Sequence, residues 1–143
     1  MKKKKIKTIL LALVLCSVGT ISFAGDNTDT TWVANWGSSM FHSNWVFSSS
    51  RKKLDNTPSY SKVVHTSTNI RNRKITCNVA EPKSSGRWEF SYGSGGSINL
   101  LKGQSGYIRS NASSYDNVSH AARLTFGFDS NSSAKGLWSP DSI

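Results

Sequence analysis

Beyond residue 30 the chain alternates apolar and polar positions with a period of two. Trp88, Phe90 and Tyr92 alternate with Glu89 and Ser91. Leu124, Phe126 and Phe128 alternate with Arg123, Thr125 and Gly127, and Trp45 and Phe47 flank Val46. Successive side chains of a strand point to opposite faces, so this pattern predicts half-buried strands with one wet face. Further strands are predicted over 31–36, 61–68, 73–80, 97–101 and 106–110. Between them lie turn clusters at 55–58, 82–86, 93–96, 102–106 and 129–133, rich in Gly, Pro, Asn, Asp and Ser. No segment beyond the first 24 residues sustains helical spacing. The fold expected is all-β, a small antiparallel β-sandwich or flattened barrel of about seven short strands. It forms a single domain over 25–143, with residues 25–30 as a fraying polar tail.

The first 24 residues depart from this pattern. Lys2, Lys3, Lys4, Lys5 and Lys7 precede an apolar run from Thr8 to Ile21, and small residues stand at Ser22 and Ala24. This is the organisation of a helical signal peptide, with cleavage expected between Ala24 and Gly25. A membrane span needs roughly 20 apolar residues; this run is shorter and is interrupted by Ser17, Gly19 and Thr20. Leu15 stands before Cys16 where a lipidation site needs a small residue. The expectation is a secreted, extracellular domain with no stable membrane insertion after processing.

Removing the leader changes the charge. The whole chain carries +10, but five of its 18 basic residues lie in the leader and none of its 8 acidic ones, which leaves +5 for 25–143. A modest positive charge favours an anionic partner such as an envelope component; without a dense basic run, no specific nucleic-acid binding is expected. Of the two cysteines, Cys16 leaves with the leader. Cys77 is then alone, so no intramolecular disulfide can form, and its alternation with Ile75 and Val79 points to a buried, inert thiol.

The ingredients of catalysis are present without an arrangement. His42, His65, His120 and Glu89 could serve a small hydrolase or nuclease, but nothing in the sequence brings them together. Gly93-Ser94-Gly95-Gly96 lacks the spacing of a nucleophile elbow and reads as a hairpin loop. Asp129, Asn131 and Ser133 alternate as calcium ligands do, yet Ala134 and Pro140 stand where that loop needs Gly and Glu. No metal or other cofactor is expected, and neither is enzymatic activity.

The aromatic residues are more informative. All five tryptophans follow the leader, and Trp32, Trp36, Met40, Phe41 and Trp45 crowd one stretch. A core of this size absorbs two or three large rings, so some are expected at the surface. Trp32, Trp36 and Trp45, with the neighbouring Arg51, Lys52 and Lys53, are the candidate contact region.

Further stretches carry a resemblance. Ala122 to Phe126 leading to Gly136-Leu137-Trp138-Ser139-Pro140-Asp141-Ser142, with Asn56-Thr57-Pro58-Ser59-Tyr60-Ser61-Lys62-Val63 and the central Gly106-Tyr107, resembles a family of small exported proteins of Gram-positive bacteria catalogued as a domain of unknown function. The Trp-Ser-Pro-Asp-Ser ending is its most specific part. The resemblance implies a leader followed by one β-rich domain and supplies no catalytic residues. By analogy with other small exported proteins it implies a bacteriocin-like role. The expected function is that of a secreted, non-enzymatic protein acting at a bacterial cell surface; the alternative is a secreted hydrolase or nuclease using His65 or His120.

Overall fold

The computed structural model describes residues 29–38, 44–91, 93, 95–112, 116–124 and 131–142. The expected leader, its cleavage point at Ala24 and Gly25, and His42, Met40, Phe41, Phe126 and Phe128 lie outside the described residues.

Among the described residues ten strands follow one another: β1 (Thr30–Trp36), β2 (Val46–Phe47), β3 (Arg51–Lys52), β4 (Ser59–Thr66), β5 (Ile75–Pro82), β6 (Trp88–Phe90), β7 (Ser97–Leu100), β8 (Ser105–Ile108), β9 (Asn117–Leu124) and β10 (Ser132–Ser139). One 3-10 turn, Thr68–Ile70, interrupts them. All pairing is antiparallel. The first sheet runs β1-β10-β4-β8. The second runs β2-β9-β5-β6, with β3 beside β2 on β9 and β7 beside β6 on β5. The two sheets pack together as a β-sandwich, as the alternation predicts.

Three expectations are corrected. Thr30, placed in the fraying tail, opens β1; β9 reaches back to Asn117, and the rest of the alternation expected there, Phe126 and Phe128, lies outside the described residues. β6 and β7 do not form a hairpin: both pair with β5, β6 along Ala80–Pro82 and β7 along Ile75–Asn78. The chain between them turns through Gly93 and Gly95, whose φ of 90° and 86° favours glycine. The third concerns β10, an interior strand of the first sheet whose opening Ser132-Ser133 reads in sequence as the end of a turn.

Between the sheets lies one apolar core. β1 contributes Trp32, Ala34 and Trp36, β10 contributes Ala134 and Trp138, and the facing β5 and β9 contribute Ile75, Cys77, Val79, Val118, Ala122 and Leu124. A buried tryptophan removes 150–250 Å² from water, about 4–6 kcal/mol by area. Three such rings give the sandwich much of its cohesion, and Cys77, among the described residues, is a free buried thiol. Their bulk requires small partners. A Cβ on Gly136 of β10 would overlap the Lys62 carbonyl oxygen and lie 2.6 Å from the Trp32 ring, so only glycine fits there.

Candidate functional site

The outer face of the second sheet carries a ledge of aromatic rings. β9 sends Ser119 and Ala121 to this face, and β5 sends Ala80; all three are small and fully buried. The floor is low enough for long side chains from opposite edges of the sheet to meet above it. From β2 and the residue before it come Phe47 and Trp45, and from β6 come Trp88 and Phe90. Phe47 stacks on Trp88 at 4.5 Å with planes 13° apart. Trp45 meets Phe90 at 4.8 Å, and Phe47 lies 5.8 Å from Phe90. The guanidinium of Arg123, next outward residue on β9, sits 4.7 Å from the Trp45 ring centre, a cation–π arrangement. Every one of the four rings is half-buried, leaving part of its surface to solvent. Beyond one end of the ledge Lys83 bridges Glu81 at 2.9 Å and Glu89 at 2.8 Å, and these two carboxylates push its pKa up.

This ledge keeps only part of the region expected from sequence. Trp45 belongs to it, and Lys52 lies exposed further along the same edge, in register with Asn117. Trp32 and Trp36 do not: inward positions of β1, they are 2% and 4% exposed. The Trp36 indole donates to the Asn44 carbonyl at 3.0 Å. Arg51 is half-buried, donates to Thr30 Oγ1 at 2.7 Å and approaches the Trp138 ring, so it joins β3 to β1. Lys53, expected at the surface, is 1% exposed. Phe47, Trp88 and Phe90 were missing from the expected region because only the sheet register shows that strands 40 residues apart in the chain share one face.

Lys53 is buried because its amine has a complete set of acceptors. It donates to Asp141 Oδ1 at 2.9 Å, to the Pro140 carbonyl at 2.8 Å and to the Thr57 carbonyl. Asp141 also accepts from Leu54 N at 2.9 Å. Ser59 Oγ donates to the Pro140 carbonyl at 2.7 Å, Ser139 Oγ to the Asp141 carbonyl at 2.7 Å, and Ser142 N to Thr57 Oγ1 at 3.0 Å. The Trp-Ser-Pro-Asp-Ser ending and the Asn-Thr-Pro-Ser stretch are thus two halves of one buried polar knot. Within this knot the buried Lys53, Asp141, Ser59 and Ser139 each find hydrogen-bond partners, as buried polar groups require.

Among the described residues, His65 and His120 do not come together. His120 points between the sheets, 1% exposed, with Trp32 stacked on it at 4.9 Å and Trp138 at 5.9 Å. Its Nε2 shares a hydrogen bond of 2.9 Å with Ser61 Oγ, and burial pushes its pKa down to about 3, so the ring is neutral. Burial likewise pushes the Cys77 thiol up to about 12, with a small opposing pull from Ser61. Ser, His and Cys therefore meet around Ser61, but sealed from any substrate. His65 stands on the outer face of the other sheet, opposite Lys135.

Two shallow depressions lie on the first sheet. One, of about 400 Å³, is lined by Asn35, Trp36, Gly37 and Asn131 to Ser133; the other, of about 200 Å³, by Thr31, Val64 and Lys135 to Leu137. Neither gathers a pair of titratable groups. Among the described residues no three His, Cys, Asp or Glu stand close enough to hold a metal ion.

No curated protein and no solved structure matches the chain. One family model does, over residues 20–142, which include both halves of the knot and all four rings of the ledge. The chain belongs to the family described as proteins of unknown function, DUF2712.

Proposed function

We propose that this is an exported, non-enzymatic binding domain that acts at a bacterial cell surface through the ledge of Trp45, Phe47, Trp88 and Phe90. The ledge carries the reading: four rings lie together on an outer face rather than in the core, each still partly open. Contiguous apolar surface on a folded domain marks a place where something binds. Aromatic faces suit the apolar faces of sugar rings, and Arg123 and Lys52 on the same side suit phosphate or carboxylate groups. An anionic envelope glycopolymer combines both features. The +5 charge of 25–143 favours the encounter, and the signal-like leader would deliver the domain to it. A bacteriocin-like role adds inhibition of the bound cell to this reading.

The experiment is to mix purified domain with Gram-positive cells and follow both sedimentation and growth. Co-sedimentation that weakens as salt rises supports the reading. Protein that stays in the supernatant at low salt contradicts it, and binding without growth inhibition removes the bacteriocin-like part alone.

A further inference from the structure

We propose that Lys53 and Asp141 become joined by an isopeptide bond between Nζ and Cγ. The two groups are set as reactants. Nζ lies 2.9 Å from Asp141 Oδ1, with the side chains 1% and 0% exposed. Carbonyl oxygens of Thr57 and Pro140 hold the amine from two further directions. Leu54 N donates to Asp141 Oδ2 at 2.9 Å, where an oxyanion would develop during attack on Cγ. Asp55 stands beside the pair: its N–H approaches Asp141 Oδ1 at 3.4 Å, and its own carboxyl accepts from Thr57 N and Thr57 Oγ1. A second carboxyl at that position can carry protons between the amine and the departing oxygen.

The step balances without a co-reactant. A proton passes from the Lys53 ammonium toward Oδ1, the freed nitrogen lone pair attacks Cγ, and the Cγ–Oδ1 bond breaks. Two of the three ammonium protons leave with Oδ1 as water, and the third stays on the amide nitrogen. Two opposite charges buried together carry a desolvation cost that a neutral amide does not, and the fixed approach replaces the entropy of encounter. The product leaves no acceptor stranded. The amide N–H donates to the Thr57 carbonyl, the Pro140 carbonyl keeps Ser59 Oγ, and the new amide oxygen keeps Leu54 N. Such a bond would fasten the β3–β4 turn to the segment after β10, 88 residues away. In a chain whose leader takes one of its two cysteines, it stands where a disulfide cannot.

The test is the intact mass of the folded protein with peptide mapping. The expected result is a mass about 18 Da, one water, below that calculated from the sequence, with trypsin failing to cut after Lys53 and a branched peptide joining Lys53 to Asp141. Lys53→Arg, which keeps the charge, should restore the full mass, and Asp55→Ala should slow the appearance of the lighter form. Full mass in the folded wild type, with Lys53 cleavable, overturns the proposal. So does a water loss that maps elsewhere or survives Lys53→Arg.

Discussion

Lys53 and Asp141, 88 residues apart in the chain, meet at 2.9 Å in a site closed to solvent. Around them the turn after β3 and the segment after β10 exchange hydrogen bonds through Thr57, Ser59, Pro140 and Ser142. Removing one partner of such a pair leaves a buried charge and orphaned backbone groups, a loss of about 3–5 kcal/mol. Asp141→Ala should therefore destabilise by that amount in urea unfolding. Asp141→Asn should cost less, because its side-chain oxygen still accepts from Leu54 N. Equal losses for the two variants would show that the Leu54 hydrogen bond contributes little.

Acid should loosen the sandwich before its carboxylates titrate. His120 has a folded-state pKa of about 3, against an ordinary value of 6.5. Between these values the unfolded chain binds a proton that the folded chain refuses, so stability falls as pH drops below 6.5. At pH 4.5 the loss from this group is about 2–3 kcal/mol relative to pH 7.5. His120→Gln should remove most of that slope. Asp55 adds a loss of the same sign at lower pH: burial raises its pKa, but the hydrogen bonds from Thr57, with the Lys53 charge nearby, outweigh this and leave it lowered. Denaturant midpoints at pH 7.5 and 4.5 separate the two, and an unchanged slope in His120→Gln would refute the assignment.

Gly136→Ala tests how closely the first sheet is fitted to its tryptophans. The added methyl would meet the Lys62 carbonyl and the Trp32 ring well inside van der Waals contact. Backbone cannot move aside cheaply, so a loss of at least about 3 kcal/mol is expected. By contrast, Gly103→Ala, a turn position with φ of 86° and open space around it, should lose only about 1–2 kcal/mol. Thermal unfolding of the two variants gives the comparison, and similar losses would contradict the packing described.

What the sequence made legible was alternation. β1, β4, β5 and β7 follow from it because Trp32, Trp36, Val63, Ile75, Val79 and Leu100 are large and recur at the right spacing. β10 escaped because Trp32 lies against its first half, where the inward positions must be small, and the large Trp138 comes only beyond them. Ala134 and Gly136 fill them, and Ser132-Ser133-Ala134-Lys135-Gly136 then looks like a loop. The first half of β9 escaped for a similar reason, since Ser119 and Ala121 are small and form the floor beneath the ledge. The candidate site was half legible. Aromatic excess announced it, but register between β2, β9, β5 and β6 decides which rings share a face, and register is a long-range property. Lys53 shows the converse: a basic cluster reads as a solvated edge until a distant Asp141 is brought to it.

Rings of the ledge and rings of the core should respond differently to truncation. Trp138→Ala, a fully buried site, should lose about 3–5 kcal/mol. Trp45→Ala, half exposed, should lose less, with its main effect on binding. A Trp45→Ala loss equal to that of Trp138→Ala in chemical unfolding would make the ledge a second core rather than a surface.

The central claim, that this outer face is where the domain binds, is tested most directly by retention on purified Gram-positive cell walls. Wild type would be compared with Trp45→Ala/Trp88→Ala and with Tyr107→Ala, which removes a ring 59% exposed on the opposite sheet. The account predicts that the folded ledge variant loses at least about tenfold in wall affinity, the cost of two interface rings, while Tyr107→Ala is retained like wild type. Equal retention of all three, or loss in Tyr107→Ala alone, would contradict it.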